Sequence, residues 1–370
     1  MKQLSLYIIV LLVNIFSVSA AELELISPIG SAKVSLLQPE QAAFLQQANG
    51  ASGEIAWKQL KGNAADLTSP RPVTFRWIRK GENQADSETA FVVQISETSS
   101  FQDVREQTVF GKQEASVYNL KTGTRYFWRV QYASSTGSPL FSEIAEFQTK
   151  RESPRWLRVP GLSNVRDTGG WIGIAGKRIR QGRIFRGSEM DAHMAMTPEG
   201  KRILLDELKI KTDLDLRSSH ECGNRPNYYS PLGPEVDWLH VPLSSYSGVF
   251  DKSSQARYKQ IFDALCDESR YPFYIHCWGG ADRTGTLIFM IQAILGVSDA
   301  DLIADYEATS LAVFGVRSRN SKLFQELREK LNGFGAPEEP LGTKARRFVL
   351  SCGVTSEQIE KIRSLLMVPE

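Results

Sequence analysis

Cys277 and Arg283 stand either side of five residues in the run YIHCWGGADRTGT, positions 274–286. A thiol and a guanidinium at that spacing can act together on one anion, the sulfur as nucleophile and the planar fork as charge clamp. Phe273, Tyr274 and Ile275 form an apolar, β-prone lead-in, and Leu287, Ile288, Met290, Ile291, Ile294 and Leu295 follow in a helical pattern. Strand, tight loop and helix is the geometry that sets a helix N-terminus against an anion. Gly279, Gly280 and Gly285 let the backbone curl so that several N–H groups converge on one phosphate. Amides, helix dipole and Arg283 each favour a thiolate at Cys277, and a thiolate can attack phosphorus.

His276-Cys277, Gly279 and Arg283-Thr284-Gly285 together resemble the signature of the cysteine-dependent phosphatases. Three further segments resemble the bacterial protein tyrosine/serine phosphatase family: Asn164 to Gly170 (NVRDTGG), Gly182 to Ser188 (GRIFRGS) and Asp213 to Ser218 (DLDLRS). Phe348-Val349-Leu350, Gly353-Val354-Thr355 and the helix after them also fit, so the resemblance covers about residues 155–370. It implies a phosphocysteine formed on Cys277, with Arg283 and the amides of Trp278, Gly279, Gly280 and Ala281 holding the non-bridging oxygens. It further implies that His276 orders the loop and that Thr284 donates to the cysteine sulfur. A carboxyl group must protonate the leaving oxygen and then activate water. Three aspartates are candidates, in the order Asp282, which precedes the arginine, Asp215 at a strand end, and Asp251 on a Ser/Gly-rich loop. Asp167 and Arg186, from the two N-terminal family segments, either approach the substrate or pair within the scaffold. Two departures stand out: Ala281 occupies a position where the family usually carries lysine, and bulky Trp278 directly follows the nucleophile. The missing lysine removes one positive charge from the pocket.

The elements that must position these residues alternate between helical and strand-like patterns. Helices are expected from Pro198 to Leu208 with Thr197 as cap, Tyr258 to Cys266, Ser298 to about Thr309, and Ser356 to Leu366; strands are expected from Thr212 to Leu216 and Val236 to Pro242. This alternation predicts an α/β domain with a mainly parallel sheet flanked by helices and the active loop at a strand's carboxyl end. Ahead of it, short alternating runs (74–77, 90–96, 126–132, 145–149) separated by turn residues predict an all-β antiparallel sandwich. Leu120 to Val130, with Trp77 as an early core tryptophan, resembles fibronectin type III domains. The expected organisation is therefore a signal peptide (1–20), a fibronectin type III-like sandwich (21–150), a short linker around 150–154 and a phosphatase domain (151–370).

Lys2, the apolar stretch Tyr7 to Val18 and the small residues Val18-Ser19-Ala20 predict a cleaved export signal, which places the mature chain in the periplasm or outside the cell. The chain has 370 residues and 42% hydrophobic content, enough for two cores, and a mixed net charge of +2 that excludes a broad nucleic-acid surface. No second membrane-span candidate follows the signal. Cys222, Cys266, Cys277 and Cys352 form no disulfide framework; a Cys222–Cys266 bridge and buried free thiols both stand. The four histidines show no metal-ligand spacing, so neither metal nor cofactor is expected. Phosphorylated protein is the leading substrate class. Inositol polyphosphates or small phosphoesters form the alternative, for which Arg178, Arg180, Arg183 and Arg186 could supply a basic rim. A catalytically dead phosphate-binding module is the reading from another class; intact Cys277, Arg283 and Thr284 speak against it. The sandwich has no catalytic grouping and is left a structural role or a protein or glycan partner.

Overall fold

The computed structural model describes residues 23–50, 55–62, 65–80, 88–133, 139–223 and 229–368. The expected export signal lies outside them. The described residues fall into two compact units.

One unit comprises the described parts of 1–32, 74–115 and 126–147. Its strands form two sheets, one ordered Leu23–Ser27, Val73–Arg79, Glu114–Val117 and the other ordered Ala145–Thr149, Arg125–Ala133, Ala90–Ser96, Arg105–Phe110. Alternation drives the packing: along Val73–Arg79 the buried positions are Val73, Phe75 and Trp77. Phe75 meets Trp128 edge-on at 4.9 Å and Trp77 meets Phe91 at 5.5 Å, so the two sheets share an aromatic core. The strands Ala90–Ser96 and Ala145–Thr149 have the expected bounds, and Leu23–Ser27 is a first strand in the weakly patterned opening stretch; Arg105–Phe110 and Glu114–Val117 were not anticipated.

The other unit comprises the described parts of 33–73, 116–125 and 148–370. Its sheet contains β1 (Arg155–Trp156), β2 (Arg166–Asp167), β3 (Ile184–Gly187), β4 (Thr212–Asp215), β5 (Asp237–His240) and β6 (Phe273–His276), in the order β1-β2-β3-β6-β4-β5. The four strands β3, β6, β4 and β5 run parallel, but β1–β2 and β2–β3 are antiparallel. The sheet is thus mixed, parallel over four of its six strands with the other two paired antiparallel at one edge. Every residue of β6 is buried, as a central parallel strand covered on both faces requires.

The helices are α1 (Pro39–Ala48), α2 (Lys252–Leu265), α3 (Arg283–Ile294), α4 (Asp299–Ala308), α5 (Lys322–Asn332), α6 (Leu341–Ser351) and α7 (Ser356–Leu366). The expected helix from Pro198 begins on its Thr197 cap but is α-helical only to Arg202 and continues as a wider turn over Ile203–Glu207. Helix α3 is buried from Thr284 to Ile294, which is why its sequence is apolar nearly all round. Phe44 of α1 joins the same core as Tyr258, Phe289, Phe324 and Phe348, and stacks on Trp57 at 5.7 Å. The stretch before residue 68, weakly patterned in sequence, therefore supplies part of this core.

Candidate active site

Cys277 is 3% exposed at the end of β6, and residues 277–283 loop from there to the first residue of α3. Three consecutive loop carbonyls are bound outward. Glu189 N donates to Trp278 O (3.0 Å), Asn164 Nδ2 to Gly279 O (3.1 Å) and Arg186 Nη2 to Gly280 O (2.6 Å). In a trans peptide the N–H opposes the C=O, so these bonds turn the amides of Gly279, Gly280 and Ala281 away from the scaffold and toward the loop interior. Two glycines are obligatory. Gly280 has φ +64°, and a Cβ there would lie 2.1 Å from Gly187 O; a Cβ on Gly279 would meet Phe314 at 2.9 Å.

The floor beneath the loop is a buried charge network. Arg166 Nε reaches Asp305 Oδ1 and Arg186 Nη1 reaches Asp305 Oδ2, each at 3.0 Å, and all three side chains are at most 3% exposed. Arg166 also donates to Asn164 Oδ1 (2.5 Å) and Thr309 Oγ1 (3.2 Å). Burial and the neighbouring Arg166 lower Arg186 to about 9, against the charges of Asp305 and Cys277. Burial alone would raise Asp305, but the two guanidinium groups hold it below the usual carboxylate range. Beside this network His276 Nδ1 lies 3.2 Å from Cys277 O and Nε2 lies 2.9 Å from Asp213 Oδ1. Burial pulls His276 down, yet Asp215 and Asp213 outweigh it and push it up to about 9.

The mouth is built differently. Arg283 meets Glu221 fork to fork, with Nη1–Oε2 and Nη2–Oε1 both 2.7 Å. This pairing, more than any other contact, brings Glu221 down to about 2, and with Cys277 it raises Arg283 above its ordinary value despite burial. Asp282 is gripped by Arg317 (Nε–Oδ1 2.7 Å, Nη2–Oδ2 2.9 Å) and accepts from the Tyr246 hydroxyl at 2.5 Å. Against burial, those two partners keep its carboxyl below the ordinary value. Trp278 is 42% exposed, stacks on His193 at 4.6 Å and meets Phe314 edge-on at 5.4 Å, so aromatic rings form one side of the rim.

Several expected residues lie elsewhere or act otherwise. Asp215 is fully buried and bound to Arg217 through both oxygens (Nε–Oδ1 3.0 Å, Nη2–Oδ2 2.8 Å). Burial opposes ionisation there, but His276 and Arg217 hold the carboxyl far below the usual range, which suits a scaffold anion and not a proton donor. Asp167 is likewise buried, bound to Arg155 (2.8 Å) and to the amides of Gly169 and Gly182 (2.8 and 2.7 Å), so it faces the scaffold. Arg186 supports the loop from below. Asp251 is exposed at the start of α2. Thr284 Oγ1 is buried without a hydrogen-bond partner and does not donate to the cysteine sulfur. The four arginines 178, 180, 183 and 186 form no common rim: Arg178 binds Gly170 O and Thr122, Arg180 binds Met367 O, and Arg183 lies over Tyr271 beside Glu268.

All four cysteines are free thiols. Cys222 Sγ donates to Asp215 (3.4 Å) and Cys266 Sγ to Gln358 O (3.6 Å). Burial, then Asp215, pushes Cys222 up to about 12. Among the described residues no group of three or more His, Cys, Asp or Glu is placed to hold a metal, and no helix is long and apolar enough to cross a membrane.

The profile of the tyrosine phosphatase family matches residues 157–368. The chain belongs to that family. The phosphatase is 26% identical over 198 residues to a protein of Cupriavidus necator named as a tyrosine-protein phosphatase, spanning 47% of this chain and 67% of that one. It is 25% identical over 252 residues to the triple specificity protein phosphatase PtpB of Mycobacterium tuberculosis, spanning 56% of this chain and 87% of PtpB. The core catalytic domain of the PP-IP phosphatase SIW14 from S. cerevisiae aligns with 41% of this chain and 83% of its own, at 20% identity and a TM-score of 0.28, an overlap too slight to argue from. The protein is a cysteine-dependent enzyme of the protein-tyrosine-phosphatase type.

Sequence reasoning passed over Glu221, Asp305, Arg317 and Tyr246, which hold Arg283, the pair Arg166 and Arg186, and the loop aspartate Asp282 of the phosphatase. One signal was available: Ser218 and Glu221 have the spacing of a local cap, and the Glu221 carboxylate does accept from Ser218 N at 2.8 Å. Asp305, Arg317 and Tyr246 reach the loop only through tertiary structure.

Proposed function

We propose that this phosphatase is exported and hydrolyses phosphomonoesters of proteins, with phosphotyrosine as its best substrate and phosphoserine or phosphothreonine within its range. The observation that carries this reading is the loop whose three carbonyls are bound outward, with Cys277 at its root and Arg283 at its close. Cys277 sulfur attacks phosphorus, the S–P bond forms, the ester P–O bond breaks, and the leaving oxygen takes a proton from Asp282. Water then attacks phosphorus, the S–P bond breaks, and Asp282 takes the proton back. Asp282 is favoured because it lies in the loop itself and its side chain is 38% exposed, whereas Asp215 is closed off. To carry a proton it must separate from Arg317.

Substrate class follows from the mouth. Trp278, His193 and Phe314 offer aromatic surface to a tyrosyl ring. Arg283 and Arg317 are each matched by a carboxylate, and Ala281 adds no charge, so the rim suits one phosphate better than a polyphosphorylated ring. The export signal at 1–20 and a fibronectin type III-like sandwich that presents the enzyme to a protein or glycan partner complete this reading.

The test is phosphate release by the reduced chain from residue 21, on phosphotyrosine peptide, phosphoserine peptide and inositol hexakisphosphate, beside Cys277→Ser. Turnover should be fastest on phosphotyrosine and fall at least a thousandfold in the variant, on the order expected for loss of a nucleophile. Turnover surviving in Cys277→Ser, or a preference for inositol hexakisphosphate, would refute it.

A further inference from the structure

Lys61, Leu67 and Thr68 precede the family-matched region, which starts at residue 157, yet they bond to the loops that make the site. Lys61 Nζ donates to Ala312 O at 2.5 Å and Leu67 N donates to Leu311 O at 2.8 Å. Leu311 and Ala312 open the segment that carries Phe314, packed on Gly279, and Arg317, which grips Asp282. A second route passes through Thr68, which is 3% exposed. Its Oγ1 donates to Asp66 Oδ1 (2.6 Å) and accepts from Asn164 N (3.2 Å). Asn164 in turn donates to Gly279 O (3.1 Å). Asn164 has φ +61°, a left-handed conformation that costs a side-chain-bearing residue energy and persists only when its surroundings hold it. The backbone beside Thr68 is itself pinned, because fully buried Gln41 of α1 donates to Leu67 O (2.8 Å) and Ser69 O (3.0 Å).

We propose that Lys61 and Thr68 are positioning residues of the active site, with Thr68 setting the catalytic loop through Asn164 and Lys61 setting the rim segment through Ala312. Neither residue touches substrate. Thr68 fixes where the Gly279 carbonyl points, and hence where the following amide meets the phosphate. Lys61 fixes the segment from which Phe314 and Arg317 reach the loop. The inference rests on the phosphatase reading above for its kinetic consequence, but not for its geometric one.

Thr68→Val, Thr68→Ser and Lys61→Met in the full chain test it, through kcat and KM on an aryl phosphate, melting temperature, and inorganic phosphate affinity followed by tryptophan fluorescence. Thr68→Val should lower kcat roughly tenfold and weaken phosphate binding severalfold, as sub-ångström misplacement of a reacting group does. Thr68→Ser keeps the hydroxyl and should restore both. Lys61→Met should lower kcat severalfold with little change in melting temperature. Wild-type kcat in Thr68→Val, or equal losses in Thr68→Val and Thr68→Ser, overturns the proposal. Should Thr68→Val not fold, Lys61→Met decides: a fall in kcat supports the proposal and an unchanged kcat overturns it. A wild-type chain with no turnover sinks the catalytic reading, and the phosphate affinities of the same variants then still decide this one.

Discussion

The floor and the mouth of the Cys277 loop use the same chemistry, arginine against carboxylate, at opposite ends of the exposure scale. Beneath the loop Arg166, Arg186 and Asp305 are at most 3% exposed, and one carboxylate is shared by two guanidinium groups. At the mouth each arginine has its own carboxylate: Arg283 with Glu221 (22% and 30% exposed) and Arg317 with Asp282 (20% and 38%). Buried pairs are costly to break because the orphaned charge has no water to turn to. Half-exposed pairs contribute little and can be exchanged. The floor is therefore fixed scaffold, and the mouth is where an arriving phosphate dianion can compete for a guanidinium.

The largest expected effect comes from Asp305→Asn. It leaves two buried guanidinium groups without an anion and should cost about 3–5 kcal/mol in urea unfolding; a loss under about 1 kcal/mol would erase the distinction between floor and mouth. Next is the pH dependence of stability. His276 is raised from 6.5 to about 9, so its contribution is complete below about 6.5 and is lost as pH rises through 9. Its size is on the order of 3 kcal/mol, and a melting temperature flat from pH 6.5 to 10 would contradict it. Asp282→Asn should lower kcat about a hundredfold while leaving unfolding within about 1 kcal/mol of wild type. A stability loss like that of Asp305→Asn would move Asp282 to the floor. The smallest effect is that of Glu221→Gln, which loosens Arg283 and should change KM by roughly tenfold or less. Glu221, lowered to about 2 by Arg283, contributes stability above about pH 4.5 that is lost as pH falls to 2. At its exposure solvent screening keeps that loss below about 1 kcal/mol.

What sequence disclosed was what is local. The run of β6, loop and α3 is contiguous, so Cys277, Arg283 and the glycines could be read together, and α7 lies at its expected Ser356–Leu366. The floor could not be read, because Arg166 meets Asp305 across 139 positions. Nor could the mouth: Glu221 lies 62 positions from Arg283, and Arg317 lies 35 from Asp282. Asp215 was ranked as an acid because a strand end beside the loop is a good place for one; Arg217, two residues on, folds back and takes both its oxygens. Helix α1 escaped notice because it buries Gln41 with Phe44 and Ala48, so its inner face is not uniformly apolar.

The hydroxyl of Thr68 waits for Asn164, 96 positions later, and the amide of Leu67 waits for Leu311. Translation supplies these partners in chain order, N-terminus first. Cys277 and Arg283 therefore precede Asp305, Leu311 and Arg317, which set the loop around them, in the order of synthesis. A chain ended between 283 and 305 would carry the complete cysteine motif but lack the anion beneath it and the rim above it. The motif alone is therefore not the site: the loop depends on α4 and the segment after it for the anion and the arginine that hold it.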